Sequence, residues 1–189
     1  SGNMIFDIGG GAAEAAVISL GGVVVHKSVR VGGNKIAEAI AAYVRRKHNL
    51  VIGDQTAEEV KMTIGSATVL EKVEEMEIKG RDSIQGLPRS VVLTSMEVTE
   101  AIQPPLKQIV GAVKAVLEEV PPELSSDIID KGIVMSGGTS LMRNFDLLLT
   151  QETGVPCHVA EEPLLCVVRG TGVALENLDL YKRSITHKR

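Results

Sequence analysis

Cysteine is scarce in these 189 residues, with two in the whole chain, Cys157 and Cys166, and no framework spacing between them. That excludes a disulfide scaffold and makes a reducing cytoplasm the simpler setting. With His158 they could be imagined as a metal cluster, but no second Cys or His pair is spaced to complete a tetrahedral site, so buried thiols are expected. Aromatic residues are almost absent too: no Trp, two Tyr and two Phe. Without a stacking platform, and with a net charge of −4 where a phosphate-binding face would be basic, nucleic acid is excluded as a partner. No apolar run approaches the roughly 20 residues of a membrane span. The N-terminus also lacks the basic and apolar regions of a signal peptide, so export is not expected. The one basic cluster, Lys182, Arg183, His187, Lys188 and Arg189, reads as a solvated tail from 179 to 189.

What is abundant is glycine, 19 residues of it, on a chain that is 44% hydrophobic and long enough for one large domain or two small ones. Met4 to Glu14 organises the rest. An apolar run carrying Asp7 breaks into Gly9, Gly10 and Gly11 and resumes at Ala15 to Ile18, which predicts a strand, a tight turn and a returning strand. The glycines permit positive φ and let a ligand approach main-chain N–H groups; the natural guest is a phosphate. Asp7, at the entrance to the turn, is placed for Mg²⁺ or a Mg²⁺-bound water. This stretch alone fits a ligand-free hairpin equally well.

Gly21-Gly22 leads into a third strand running to Val31. Ile36, Ala39, Ile40, Tyr43 and Val44 then recur at helical spacing. Thr56 is expected to cap a helix over Ala57 to Ile64, with Glu59 in the capping-box position. Short strands are expected at 76–80 and 90–94 around a Gly86-Leu87-Pro88 turn. Ser95 is expected to cap a long helix that Pro104-Pro105 kinks or breaks. An acidic helix over 122–129, a buried strand over 132–135, a helix over 141–149, a strand over 155–159 and two helices joined at Gly170 complete an α/β sheet protein.

Three places could carry chemistry. The triple glycine is one. Ser136, Gly137, Gly138, Thr139 and Ser140, between a strand and a helix, are the second. Glu58 and Lys61, three apart on one helix face, are the third, although by spacing alone they read as a surface ion pair.

Their order says more. Asp7 to Gly11, Val31-Gly32-Gly33-Asn34-Lys35, Thr56 to Lys61, Gly80-Arg81-Asp82, Gly86-Leu87-Pro88-Arg89, Pro121 to Leu124, Ile133 to Gly138 and Arg169 to Gly172 closely resemble, in sequence, the C-terminal half of the MreB family, the bacterial actin homologues. The resemblance runs from about Gly2 to Glu176. Chaperone ATPases and sugar kinases share the glycine loops but not Gly80 to Asp82 or Gly86 to Arg89. The resemblance implies half of an actin-like ATPase of ribonuclease H-like fold, with a mixed five-stranded sheet, flanking helices and an inserted small α+β subdomain. Residues 1–33 and 96–178 would form the inner subdomain and 34–95 the outer one. It implies ATP and Mg²⁺ as cofactors: Gly9, Gly10, Gly11 and Ala12 at the phosphates, Asp7 organising Mg²⁺ and water, Glu58, Glu59, Val60 and Lys61 at ribose and adenine, and Gly137 to Ser140 beneath the nucleotide. It further implies self-association into cytoplasmic, membrane-associated filaments that set cell shape, and membrane proteins of a shape complex as partners. The membrane contact and first phosphate loop would lie in an N-terminal half not present here.

The chain departs from the family where Ala12 and Ala13 replace two threonines, Asn34 and Ala37 replace aspartates, and Thr139 replaces a third glycine. These changes point to weakened hydrolysis. A non-hydrolysing scaffold that binds shape-complex partners is the competing reading, and the isolated chain is expected to be hydrolytically inactive.

Overall fold

The structure, a computed structural model, describes residues 1–185. It opens with an antiparallel meander, β1 (Gly2–Ile8), β2 (Ala13–Ser19) and β3 (Gly22–Val29). Strict alternation buries Met4, Phe6 and Ile8 on β1 and Ala13, Ala15 and Val17 on β2, against one face of the sheet. Leu20 (φ 50°) and Gly21 (φ 76°) make the two-residue turn between β2 and β3, the positive pair that matches strand twist. β3 stops at Val29, short of the expected Val31.

Next comes α1 (Gly33–His48), which buries Ile36, Ile40, Tyr43 and Val44, and carries Arg45, Arg46, Lys47 and His48 in its last turn, where cations suit the dipole. β4 (Leu50–Val51) was not foreseen, since two residues carry no readable period. α2 (Asp54–Ile64) starts before the expected cap: Thr56 lies inside the helix, Gly53 is the cap residue, and Ala57 N bonds to Gly53 O. β5 (Glu75–Asp82) and β6 (Pro88–Thr94) form a hairpin, completing a second sheet of order β4-β5-β6.

α3 (Ser95–Glu119) is capped by Thr94, not Ser95; Thr94 and Glu97 close a reciprocal capping box, while the Ser95 hydroxyl accepts from Glu74 N. Pro104-Pro105 lies inside α3 without ending it. Two interior prolines cost about 6 kcal/mol in helix stability. Burying Val98, Ile102, Leu106, Ile109, Val113 and Val116 returns about 1.5–3 kcal/mol each, so packing wins. α1 is tied to the start of α3 by Tyr43 Oη donating to Glu100 (2.9 Å) and by a His48–Glu97 contact of 2.8 Å. Burial, helped by the Glu100 carboxylate, pushes the Tyr43 phenol up to about 12.

The chain continues through α4 (Pro122–Lys131), β7 (Ile133–Ser136), a 3-10 turn (Gly138–Leu141), α5 (Phe145–Thr153) and β8 (Cys157–Val159). β7 lies parallel to β1 and β8 parallel to β7, giving the expected mixed five-stranded sheet in the order β3-β2-β1-β7-β8. The helix expected over 141–149 is thus a 3-10 turn followed by α5, separated at Asn144, whose φ of 59° interrupts the helix. α6 (Cys166–Glu176) runs through Gly170 as a single helix, and α7 (Leu178–Ile185) takes in the beginning of the expected tail. Residues 186–189 of that tail lie outside the described residues.

One continuous core joins both sheets and α1 to α5. Cys157 and Cys166 are free and only half buried, because β8 is a sheet edge and α6 has no buried residue. Burial still pushes the Cys157 thiol up. No described helix is long and apolar enough to cross a membrane.

Candidate functional site

The turn between β1 and β2, Gly9 to Ala12, is closed by Gly9 N donating to Ala12 O (3.0 Å). None of its glycines uses positive φ; what their missing side chains provide is room. The carbonyls of Gly9, Gly10 and Ala12 are already taken. Gly33 N donates to Gly9 O (3.0 Å) and Asn34 N to Gly10 O (2.8 Å), so the N-terminal turn of α1 spends two of its free amides on the loop. Thr139 Oγ1 also donates to Gly9 O at 3.0 Å. Among the described residues no protein acceptor takes the amides of Gly10, Gly11 or Ala12. Unpaired N–H groups on an exposed turn are donors available to an anion.

Glycine is needed beside the loop as well. A Cβ on Gly33 would stand 2.6 Å from Thr139 Oγ1 and 3.0 Å from Lys61 Nζ, so three segments meet at this one residue. The second glycine loop begins where β7 ends. Gly137 has φ 84°, and a Cβ there would lie 2.4 Å from Ile8 O; only glycine lets β7 turn so close to β1. Ser140 Oγ donates back to Gly137 O (2.6 Å), holding the 3-10 turn.

Lys61 and Glu58 are not the exposed pair that spacing suggested. Lys61 Nζ lies 2.7 Å from Glu58 Oε2 and 3.1 Å from Gly33 O, with its side chain 11% exposed against 43% for Glu58. Gly10, Gly33, Glu58, Lys61, Gly138 and Thr139 all line one cavity of about 680 Å³, a size in the usual range for small-molecule sites. Met62, Leu141 and Leu164 give it apolar wall, and Asn34 and Arg143 add polar groups. A second groove of about 620 Å³, beside Arg45 and Arg46, contains none of the expected residues.

Asp7 sits just behind the loop, half buried, with Oδ1 accepting from Ser136 Oγ at 2.7 Å. Its hard oxygens fit Mg²⁺, which takes one or two carboxylates, water and substrate phosphates. Among the described residues no three His, Cys, Asp or Glu side chains gather into a cage, so protein ligation here would fall to Asp7. Of the expected residues, Asp7, Gly9, Gly11, Ala12, Gly137 and Ser140 flank the cavity's lining residues in sequence without lining it themselves. Glu59 and Val60 do not line it either: Val60 is fully buried in the core and Glu59 is exposed. Ser136 stands in the second stretch singled out in the sequence, but its bond to Asp7 was not foreseen, and Gly33 and Arg143 were missed as site residues. Gly33 alone left a signal there, beside Gly32 just before a helix.

The departures at 12, 13, 37 and 139 are not equivalent. Ala13 is fully buried and Ala37 nearly so, each packed in the core, so neither faces the cavity as the comparison with the family suggested. Ala12 is on the loop. Thr139 brings a hydroxyl that bonds the loop.

Comparison with known proteins identifies the family. The MreB/Mbl protein family matches residues 1–183. The cell shape-determining protein MreB of Escherichia coli strain K12 is 52% identical over 181 residues, 96% of this chain and 52% of that protein. The cell shape-determining protein Mbl of Bacillus cereus is 46% identical over 186 residues, covering 98% of this chain and 56% of its own length. The crystal structure of MreB5 of Spiroplasma citri bound to AMPPNP superposes with a TM-score of 0.90 at 36% identity, covering 97% of this chain and 55% of that one. The chain therefore spans about half the length of the relatives it matches. With its family match over 1–183 and its actin-like mixed sheet, the chain belongs to the MreB/Mbl family.

Proposed function

We propose that this chain is the C-terminal half of an actin-like, filament-forming protein that determines bacterial cell shape, and that it forms one wall of an ATP site. The observation that supports this most is the convergence of two glycine loops and the Glu58–Lys61 pair on one cavity. In this reading the free amides of Gly10, Gly11 and Ala12 hold phosphate oxygens. Lys61, fixed by Glu58 and Gly33 O, and Glu58 itself meet the ribose and adenine. The Gly137 to Ser140 loop, latched to Gly9 O by Thr139, forms the floor. Mg²⁺, when bound, would neutralise phosphate charge, and Asp7 would hold the ion through water. The relative bound to AMPPNP, an ATP analogue, supports a nucleotide as the guest.

The inner subdomain is then 1–33 with 96–178, and the outer one 34–95. The first phosphate loop and the membrane contact belong to the other half of the full-length protein. Filaments made by self-association would lie in the cytoplasm along the inner membrane, with shape-complex membrane proteins as partners. ATP hydrolysis belongs to the two-halved protein, and this half alone does not turn ATP over. A non-hydrolysing scaffold is the second reading, favoured by the methyl group of Ala12 on the loop, which cannot orient water as a hydroxyl would.

Titration of the ¹⁵N-labelled chain with Mg-ATP tests the site. Shifts concentrated at Gly10, Gly11, Ala12 and Lys61, and lost in Lys61→Ala, are expected. Saturating shifts confined to the groove beside Arg45 and Arg46 would overturn the assignment.

A further inference from the structure

Ser136 is the last residue of β7 and pairs in parallel register with Asp7 on β1. Phe6 and Met135, one step back, are both fully buried; strand alternation therefore puts Asp7 and Ser136 together on the opposite face. Ser136 is 5% exposed and its single hydroxyl proton goes to Asp7 Oδ1 at 2.7 Å. Each residue stands where its strand enters a glycine loop, β1 into Gly9 and β7 into Gly137.

We infer that Ser136 is a positioning residue for Asp7, fixing the carboxylate so that Oδ2 is the oxygen presented to Mg²⁺-bound water; this rests on the nucleotide reading above. A carboxylate is broad and roughly two-fold about χ2, so an unrestrained Asp7 would present either oxygen over a range of orientations. A strong O–H···O⁻ bond to Oδ1 removes that freedom before any ligand arrives. Outer partners of this kind orient the groups that hold metal ions. Asp7 and Ser136 are 129 residues apart, so the parallel register of β1 and β7, not local sequence, makes the arrangement.

Nucleotide affinity of this chain, with ATP in Mg²⁺ and again in EDTA, distinguishes positioning from a purely structural bond. The wild type binds more tightly with Mg²⁺. Ser136→Ala loses about tenfold of that Mg²⁺-dependent gain while its affinity in EDTA is unchanged, and Ser136→Thr, which keeps the hydroxyl, restores it. Thermal unfolding of each variant reports whether the fold is intact. An undiminished Mg²⁺ gain in Ser136→Ala overturns the inference, as does an equal loss in both conditions, which would mark the bond as structural. ATP binding by the wild type without any Mg²⁺ gain also overturns it, leaving the nucleotide site standing. No ATP binding at all would instead remove the nucleotide reading and the inference with it.

Discussion

Gly32 lies so close to Gly9 that a methyl group on it would stand 2.5 Å from the Gly9 carbonyl oxygen. The oxygen it meets is backbone and a Cβ is fixed by its own backbone, so neither can swing aside. Gly32→Ala is expected to destabilise the fold by about 1–3 kcal/mol, as overpacking does. Gly11→Ala, with nothing within 4 Å of its added methyl, is expected to stay within about 0.5 kcal/mol of the wild type. Urea midpoints measure both. Equal shifts for the two would mean that the loop and the start of α1 are not held as described.

Asn34 hangs over the loop, its Oδ1 about where it would touch a Gly10 side chain, 3.1 Å from a Cβ built there. Asn34→Asp puts a negative charge beside amides proposed to hold phosphate. ATP affinity is expected to fall by about threefold or more, with a smaller loss at high salt. Calorimetric titration at two ionic strengths checks it, and equal affinity for both proteins would place the phosphates elsewhere.

The Ala12 and Ala13 departures are separable. In the full-length protein Ala12→Thr is expected to raise phosphate release, because residue 12 is on the loop. Ala13→Thr is expected to leave turnover unchanged and to cost about 1–3 kcal/mol of stability, because residue 13 is fully buried and its added atoms have no space. Steady-state phosphate release and denaturant unfolding provide the two readouts. A gain in turnover from Ala13→Thr alone would reverse this assignment.

The joint between α1 and α3 has a pH signature. Burial works against the Glu97 carboxylate, but hydrogen bonds from Thr94 N, His48 and the Thr94 hydroxyl outweigh it and hold its pKa below the ordinary value. A lowered folded pKa contributes stability that is present above the unfolded value of 4.5 and is lost as pH falls through the folded one. Glu97→Gln keeps a capping-box side chain without the charge. The wild type is therefore expected to be more stable than Glu97→Gln at pH 6 and to lose that advantage progressively as pH falls below 4.5. A stability difference that stays constant from pH 6 to pH 3 would show that the charge plays no part.

The glycine loops, the meander and the long helix could be read from the sequence because each depends on residues close together in the chain. The three glycines between two apolar runs and Asp7 near a strand end are examples. Long-range relations could not. The Glu58–Lys61 pair looks like any surface pair until Gly33 O closes over Lys61, and the Ser136 hydroxyl acquires meaning only when β7 lies beside β1. Helix boundaries failed for a related reason. Thr56 is a good cap by type, yet Gly53 leads a helix that begins three residues earlier, and Pro104-Pro105 is a good stop by type, yet α3 is held on both sides of it by core packing.

α3 buries Ile102 and Leu106 in the same continuous core that holds Phe6 from the first sheet and Ile78 and Leu93 from the second. The second sheet is therefore no detachable cassette. Excising it with a short linker would strip covering from the first half of α3. Its loss would be felt as a loss of core, not as the trimming of an appendage.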